Sequence, residues 1–365
     1  MSFTELAVSG VAELEAYIPG KPIEELERQY GVRDIVKLAS NENPLGPSKA
    51  ALAAIAQASK DITRYPDGNG YALKLALAEK LQLASEQITL GNGSNDVLEL
   101  VARAFAGHGD EVIFSEHAFA VYPIATKAIG ATGVTTPAKA FGHDLEAMLK
   151  AITSRTKLIF IANPNNPTGT WLEPTDIKAF LDKVPEKVLV VLDEAYIEYI
   201  EQSENTVAWL RHYDNLVITR TFSKAYGLAG LRIGYALSHP EVADLMNRVR
   251  QPFNANSLAQ AAAVAALGDE SYLQQAREVN KAGMQQLITG FERMGLQYIP
   301  SMGNFITVNV HTNAAELNED LLQEGIIVRP IANYGLPQHL RISIGLEHEN
   351  QRLLDALSRI LGRGK

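Results

Sequence analysis

The sequence predicts an α/β protein, in which a large domain with a mostly parallel central sheet flanked by helices precedes a smaller α+β domain. Three observations predict this fold class. Short β-branched runs alternate with helical patterns through the middle of the chain. The run 188–192 is apolar at every position, which is typical of a central strand covered on both faces. From about Asn256 the pattern changes to a long helical region followed by further strand-like pieces.

The strands expected in the large domain share a short aliphatic run, and they cover residues 88–90, 112–114, 158–161, 188–192, 216–219 and 233–237. Helical patterns such as 95–105 and 174–181 separate them. The smaller domain is expected to contain a helical region to Met294, strands at 305–310, 326–328 and 340–344, and a closing amphipathic helix over 347–361.

Prolines and glycines interrupt the chain between residues 19 and 47, so regular structure is not expected there. We therefore predict three segments. Residues 1–46 form an N-terminal arm that is part of the small domain, residues 47–255 form the large domain, and residues 256–365 form the small C-terminal domain.

Composition excludes several classes of protein. Lys and Arg number 33 against 42 Asp and Glu, and the resulting net charge of −9 argues against broad binding to nucleic acid or anionic membranes. Without cysteine, the chain has no disulfide, thiolate nucleophile or iron–sulfur cluster. The eight histidines show no metal-binding spacing, so no metal is expected. No signal peptide or membrane span is recognisable, which favours a cytoplasmic protein.

Polar and aromatic residues follow the predicted strands at their carboxyl ends, where open α/β sheets bind ligands. Gly91-Asn92-Gly93-Ser94 opens a helix and suits a phosphate. A plain turn with Ser94 as helix cap is one alternative. An NAD site with Glu116 as the ribose-binding acid is another, although Asp96 stands where the dinucleotide motif has its third glycine.

Several single residues at these strand ends could carry chemistry. Asp193 could pair with a cationic ligand atom, pair with a structural arginine or cap a helix, and Lys224 could be a desolvated nucleophile or a surface lysine. Asn166 lies in a turn constrained by two prolines. Arg341 could clamp an anion or face solvent. Phe119 could stack on a flat ligand or belong to the core. Together these groups suit pyridoxal phosphate.

Three segments resemble the signature set of fold type I aminotransferases. They are Asn163-Pro-Asn-Asn-Pro-Thr-Gly169, Asp193-Glu-Ala-Tyr196 and Thr221-Phe-Ser-Lys224, and the last is followed by Gly230-Leu-Arg-Ile-Gly234. Their order and spacing match over nearly the whole chain. Within that family, the segments 38–44 and 64–68 and the chain length are most similar to histidinol-phosphate aminotransferases.

The resemblance implies a homodimer that binds pyridoxal 5′-phosphate, with Lys224 and Asp193 as catalytic residues. Lys224 would bond to the cofactor aldehyde, and Asp193 would pair with the ring nitrogen. The other implied cofactor-binding residues are Ser94, Asn95, Phe119, Asn166, Tyr196, Ser223, Arg232 and, from the partner subunit, Tyr65. Arg341 would bind the carboxylate of glutamate, and Tyr17 and Arg329 would bind the substrate phosphate.

The activity that this resemblance implies is transfer of an amino group from L-histidinol phosphate to 2-oxoglutarate, a step of histidine biosynthesis. An aromatic-amino-acid aminotransferase of the same fold and a phospho-amino-acid decarboxylase are alternatives that share nearly every cofactor residue. A cofactor-binding regulator and an NAD oxidoreductase are alternatives from other classes. The first 45 residues are too short and too acidic to supply the DNA-binding helices of a regulator.

Overall fold

The computed structural model describes residues 3–8, 10–16, 20–201 and 204–362. The α-helices of this part are α1 Ile23–Tyr30, α2 Lys49–Ala58, α3 Tyr71–Leu81, α4 Ser94–Phe105, α5 Val121–Ala128, α6 Leu145–Lys150, α7 Pro174–Leu181, α8 Pro240–Val249, α9 Ser257–Leu267, α10 Glu270–Met294, α11 Ala314–Gln323 and α12 Glu347–Gly362. The strands are β1 Val36–Lys37, β2 Ile88–Gly91, β3 Glu111–Ser115, β4 Thr132–Thr136, β5 Ala138–Lys139, β6 Gly142–His143, β7 Thr156–Ala162, β8 Leu189–Asp193, β9 Leu216–Thr221, β10 Gly234–Leu237, β11 Gln297–Ile299, β12 Phe305–Asn309, β13 Ile326–Ile327, β14 Arg329–Ile331 and β15 Leu336–Ser343.

The large sheet has the strand order β2-β10-β9-β8-β7-β3-β4. Only β10 runs antiparallel, and it does so against both of its neighbours in this sheet. The prediction of a mostly parallel central sheet is confirmed. Because the parallel strands share one direction, the ends of β2, β3, β7, β8 and β9 lie along the same edge, and each is followed by one of the polar segments singled out above.

Helices cover both faces of this sheet. Along β7, Leu158 and Phe160 pack into one apolar cluster with helices α4, α5 and α8. The alternate residues Ile159 and Ile161 pack into a second cluster on the opposite face, with helices α3, α7 and α9. Side chains of a strand point alternately to its two faces, so a run that is apolar at every position is buried on both.

A second, antiparallel sheet has the order β11-β12-β15-β14 and packs against α10, α11 and α12. Strand β1 from the N-terminal arm pairs in parallel with β13. The arm also contains helix α1, where regular structure was not expected; it begins after Pro22 and ends at Gly31, whose φ is 67°. The three segment boundaries stay predictions.

Two expected elements divide differently. The helical region from 256 to 294 breaks into α9 and α10, because the Asp269 side chain accepts a hydrogen bond from the amide of Tyr272 and caps a new helix. The single strand expected at 326–328 is replaced by two short strands with different partners. β13 pairs with β1, and β14, which begins at Arg329, pairs with β15. Within the described ranges, no helix is long and apolar enough to cross a membrane.

Candidate active site

A cavity of about 200 Å³ lies between the carboxyl edge of the large sheet and the small sheet. It brings together most of the site residues expected from the sequence: Ser94, Asn95, Phe119, Asn166, Asp193, Tyr196, Ser223, Lys224, Arg232, Arg329 and Arg341. Tyr65 does not line it; this ring is 83% exposed and stacks on Phe253 with centroids 4.8 Å apart. Tyr17 lies outside the described residues.

Asp193 ends strand β8 as a buried carboxylate facing this cavity. It accepts hydrogen bonds from the hydroxyls of Tyr122, at 2.8 Å, and Thr219, at 3.1 Å. The expected alternative, a structural arginine, is wrong, because Arg220 pairs with the neighbouring Glu194 at 2.8 Å. Among the residues described, no cation forms a salt bridge with Asp193, and burial raises the pKa of its carboxyl. A cationic ligand atom would complete this site.

Lys224 lies half-buried in the cavity wall rather than on the surface. Its Nζ donates a hydrogen bond to the carbonyl of Ser40 at 3.0 Å. Burial, and next the positive charge of Arg341, lower the pKa of Lys224 to about 7. Near neutral pH a large fraction of this side chain is therefore an uncharged amine, the form that attacks an aldehyde.

The amino end of helix α4 and the side chain of Arg232 form a cradle for an anion. A Cβ added at Gly93 would lie 2.4 Å from Nη2 of Arg232, and one added at Gly234 would lie 2.5 Å from the amide nitrogen of Ser94. Both glycines are needed for this close approach. Ser94 is the first helical residue, and the cap position belongs to Gly93, whose φ is 87°. The expected alternative of Ser94 as a simple helix cap is therefore wrong.

Arg232 has a left-handed backbone, with φ of 56°, and its Nη1 donates to the hydroxyl of Ser223 at 3.3 Å and to the carbonyl of Ala229 at 3.0 Å. No carboxylate of the described chain forms a salt bridge with it. A strained arginine beside free helix amides is the arrangement expected for binding a phosphate dianion.

Arg341 is buried on β15, so the alternative of a solvent-facing position is wrong. Its guanidinium donates to Oδ1 of Asn166 at 2.7 Å and to the carbonyl of Ala39 at 2.6 Å. Because a guanidinium only donates, Oδ1 of Asn166 must face it, and the Nδ2 donor of the amide points elsewhere. Asn166 can therefore donate a hydrogen bond to a ligand oxygen.

Tyr196 supplies a second donor for a ligand oxygen. Its hydroxyl accepts a hydrogen bond from Nδ2 of Asn41 at 2.9 Å, which leaves its own hydrogen to be donated. Burial raises the pKa of Tyr196 to about 12, so the phenol keeps this hydrogen at neutral pH.

Arg329 and Arg341 are direct partners across strands β14 and β15, and both line the cavity. Like charges directly opposite each other disfavour a pair of antiparallel strands. An anionic ligand in contact with both guanidinium groups would be attracted by two positive charges, so this end of the cavity suits a phosphate or a carboxylate.

Three contributors to the site, Ser40, Asn41 and Tyr122, are not among the site residues predicted from the sequence. Asn41 holds Tyr196 from a left-handed backbone, with φ of 54°, although its segment was noticed for its resemblance. Tyr122 is fully buried and its hydroxyl donates to Asp193. Ser40 contributes only a backbone carbonyl.

The residues present fit pyridoxal phosphate. Its phosphate matches the cradle of helix α4 and Arg232, and its basic nitrogen matches the buried Asp193. Its phenolic oxygen matches the free donors of Asn166 and Tyr196, and its aldehyde matches the amine of Lys224. Each polar group of the cofactor thus has a complement in one cavity.

A mostly parallel α/β sheet with these groups at its carboxyl edge defines a pyridoxal-phosphate-dependent enzyme of fold type I. The family model described as "Aminotransferase class I and II" matches residues 33–357. A histidinol-phosphate aminotransferase from Pseudomonas fluorescens is 60% identical, with 100% of this chain and 99% of that protein covered. One from Nitrosococcus oceani is 58% identical, with 98% of each covered.

Among solved structures, a histidinol-phosphate aminotransferase from Sinorhizobium meliloti in complex with pyridoxal-5′-phosphate superposes with a TM-score of 0.88 at 32% identity, covering 95% of this chain and 96% of that one. The chain belongs to the class I and II aminotransferases and, within them, to the histidinol-phosphate aminotransferases. The alternative of an NAD oxidoreductase is thereby overturned.

The lowered pKa of Lys224 predicts that its amine loses its proton at a lower pH than an exposed lysine does. In the cofactor-free enzyme, trace acetylation of Lys224 should increase with pH around a midpoint near 7 and level off above it, because the amine is then already uncharged. Peptide mapping compares it with Lys150, which is exposed and whose pKa its ion pair with Glu146 raises. Labelling of Lys224 that keeps rising in parallel with Lys150 above pH 9 would contradict this prediction.

The left-handed backbone of Arg232 predicts that two variants with the same loss of cofactor binding differ in stability. Arg232→Gly and Arg232→Ala should both weaken cofactor binding about ten-fold or more, because both remove the guanidinium. Without cofactor, the Gly variant should be more stable than the Ala variant by about 1 kcal/mol, since glycine adopts a φ of 56° without strain. Cofactor titration and thermal unfolding measure the two effects. Equal stability of the two variants would show that the position is not strained.

Proposed function

We propose that the chain binds pyridoxal 5′-phosphate and transfers an amino group from L-histidinol phosphate to 2-oxoglutarate, yielding imidazole acetol phosphate and L-glutamate, as a cytoplasmic enzyme of histidine biosynthesis. The observation that carries the proposal is the convergence of an amine of lowered pKa, a buried carboxylate and two cross-strand arginines in one cavity. The names of the relatives support the choice of substrate.

Ser94, Asn95, Ser223 and Arg232 would hold the cofactor phosphate, and Phe119 would stack on the ring. Asn166 and Tyr196 would donate to the phenolic oxygen, and Asp193 would pair with the ring nitrogen. When bound, the cofactor supplies an electron-withdrawing ring that stabilises negative charge at the carbon from which a proton is lost.

Lys224 is the group proposed to move protons. A lysine amine accepts a proton in its uncharged form and donates one in its charged form, so a pKa of about 7 lets the same Nζ do both near neutral pH. The cavity around it is small and walled by both sheets, which restricts water around the amine.

The two arginines explain how one site could accept two unlike substrates. A guanidinium binds phosphate and carboxylate with the same planar set of donors. We assign Arg341, which Asn166 and Ala39 hold in place, to the carboxylate of glutamate and 2-oxoglutarate. Arg329 would bind the phosphate of histidinol phosphate, together with Tyr17.

The proposal includes a homodimer in which Tyr65 reaches the partner's cofactor. Tyr65 is 83% exposed and stacks on Phe253, and Ile62 and Tyr71 nearby in the sequence are also exposed. Large hydrophobic side chains grouped on a surface are typical of an interface. In this proposal Tyr65 is the point at which the dimer and the site would meet.

The proposed substrate is tested by a panel of amino donors, each offered with 2-oxoglutarate. We expect kcat/KM for histidinol phosphate to exceed that for phenylalanine and tyrosine by about ten-fold or more, because only the first has a phosphate for Arg329. Lys224→Ala serves as the inactive control. A higher kcat/KM for phenylalanine would favour the aromatic aminotransferase, and carbon dioxide release without 2-oxoglutarate would favour the decarboxylase.

The proposed dimer is tested by mixing two inactive variants. Tyr65→Ala lacks the group given to the partner, and Lys224→Ala lacks the amine of its own site. In a mixed dimer one of the two sites regains both residues, so an equal mixture should recover about a quarter of the wild-type activity. The control is each variant alone, refolded in the same way. A mixture no more active than its components would place Tyr65 in the site of its own chain or outside any site.

A further inference from the structure

His117 lies two residues before Phe119, in the loop that follows strand β3. Its Nδ1 lies 2.7 Å from the carbonyl oxygen of Tyr334. A carbonyl only accepts, so Nδ1 carries the hydrogen and donates it. Tyr334 belongs to the connection between β14 and β15 of the small sheet. The imidazole therefore joins the loop after β3 of the large sheet to the connection between β14 and β15 of the small sheet.

The backbone of His117 is fixed to the large sheet at the same point. Its carbonyl accepts a hydrogen bond at 3.0 Å from Nδ2 of Asn165, which lies next to Asn166. His117 thus contacts the loop that contains Asn166 through its backbone and the segment 329–334 through its side chain. Because Arg329 begins that segment, the hydrogen bond from His117 restrains the strand on which Arg329 stands.

A turn with a left-handed backbone places an aromatic ring beside His117. Strands β5 and β6 are joined by Ala140 and Phe141, whose φ values are 49° and 64°. Residues at both central positions of such a turn are usually Asn or Gly. The turn places the Phe141 ring between two imidazoles, 6.1 Å from His117 and 6.0 Å from His339. Backbone strain of this kind persists only where the surroundings enforce it, and it is commonest at functional sites.

We propose that His117 is a positioning residue, whose hydrogen bond to the Tyr334 carbonyl holds the segment 329–334 so that Arg329 faces the phosphate of the amino substrate. The side chain touches neither substrate nor cofactor; it acts through the backbone of the segment. The substrate part of this inference rests on the proposed function, in which Arg329 binds that phosphate.

Three variants at one position separate the hydrogen bond from the bulk of the side chain. Asn places its Nδ2 donor the same number of bonds from Cα as Nδ1 of His, and Gln places its donor one bond further away. Leu fills the space without a donor. We expect His117→Asn to behave as the wild type. His117→Leu and His117→Gln should raise KM for histidinol phosphate about five-fold, with kcat and the KM for 2-oxoglutarate changed by less than about two-fold.

The matched control is His339→Leu, which removes the other imidazole beside Phe141 without touching Tyr334. It should leave KM for histidinol phosphate unchanged. The proposal is overturned if His117→Leu and His117→Gln match the wild type, if His117→Asn fails as they do, or if His339→Leu has the same effect. A variant at His117 that changed both KM values and kcat together would indicate a general structural role and would also overturn it.

A second measurement does not depend on any substrate. In protein labelled with ¹⁵N-histidine, at a pH where imidazoles are neutral, the spectrum should contain one ring protonated at Nδ1 that is missing from His117→Leu and present in His339→Leu. Its absence from the wild type would refute the hydrogen bond itself. If the ring is seen but histidinol phosphate is not turned over by the wild type, the proposed function fails while the contact stands.

Discussion

The buried carboxylate of Asp193 is the constraint on which the site depends. It ends a strand covered on both faces, between β7 and β9, and only hydroxyl groups donate to it among the described side chains. An ionised carboxylate removed from water without a cation is costly by several kcal/mol. The fold tolerates it because a cationic ring nitrogen is the expected partner, so part of the cost of building the site is offset only when the cofactor binds.

The sheet architecture explains why the remaining groups surround this carboxylate. Parallel strands end together, so Asn166 from the loop after β7, Asp193 from the end of β8 and Lys224 from the loop after β9 come to one edge. The antiparallel β10 returns the chain beside β2, which brings Gly234 against the first turn of helix α4. The small sheet then closes the cavity with cations rather than with apolar residues.

The sequence predicts what is local and contiguous. Each of the elements that could be recognised is a short pattern with its own physical signature. They are the strands with aliphatic runs, helix α4 and the segments that contain Asp193 and Lys224. The direction of β10 could not be predicted, because an aliphatic run does not indicate whether a strand is parallel or antiparallel to its neighbours. Nor could contacts between distant segments: Asn41 reaches Tyr196 across 155 positions, and nothing around Tyr122 marks it as the donor to Asp193.

The charges of the site also act on one another. Arg341 is, after burial, the largest cause of the lowered pKa of Lys224. An anionic group bound against Arg341 cancels part of that positive charge, so it must raise the proton affinity of the Lys224 amine. Since reciprocal linkage applies to any two binding events, protonation of the amine must likewise strengthen binding of the anion. The arginine proposed to bind an anionic substrate would thus also make the neighbouring amine a stronger base once that substrate has bound, without any movement of the backbone.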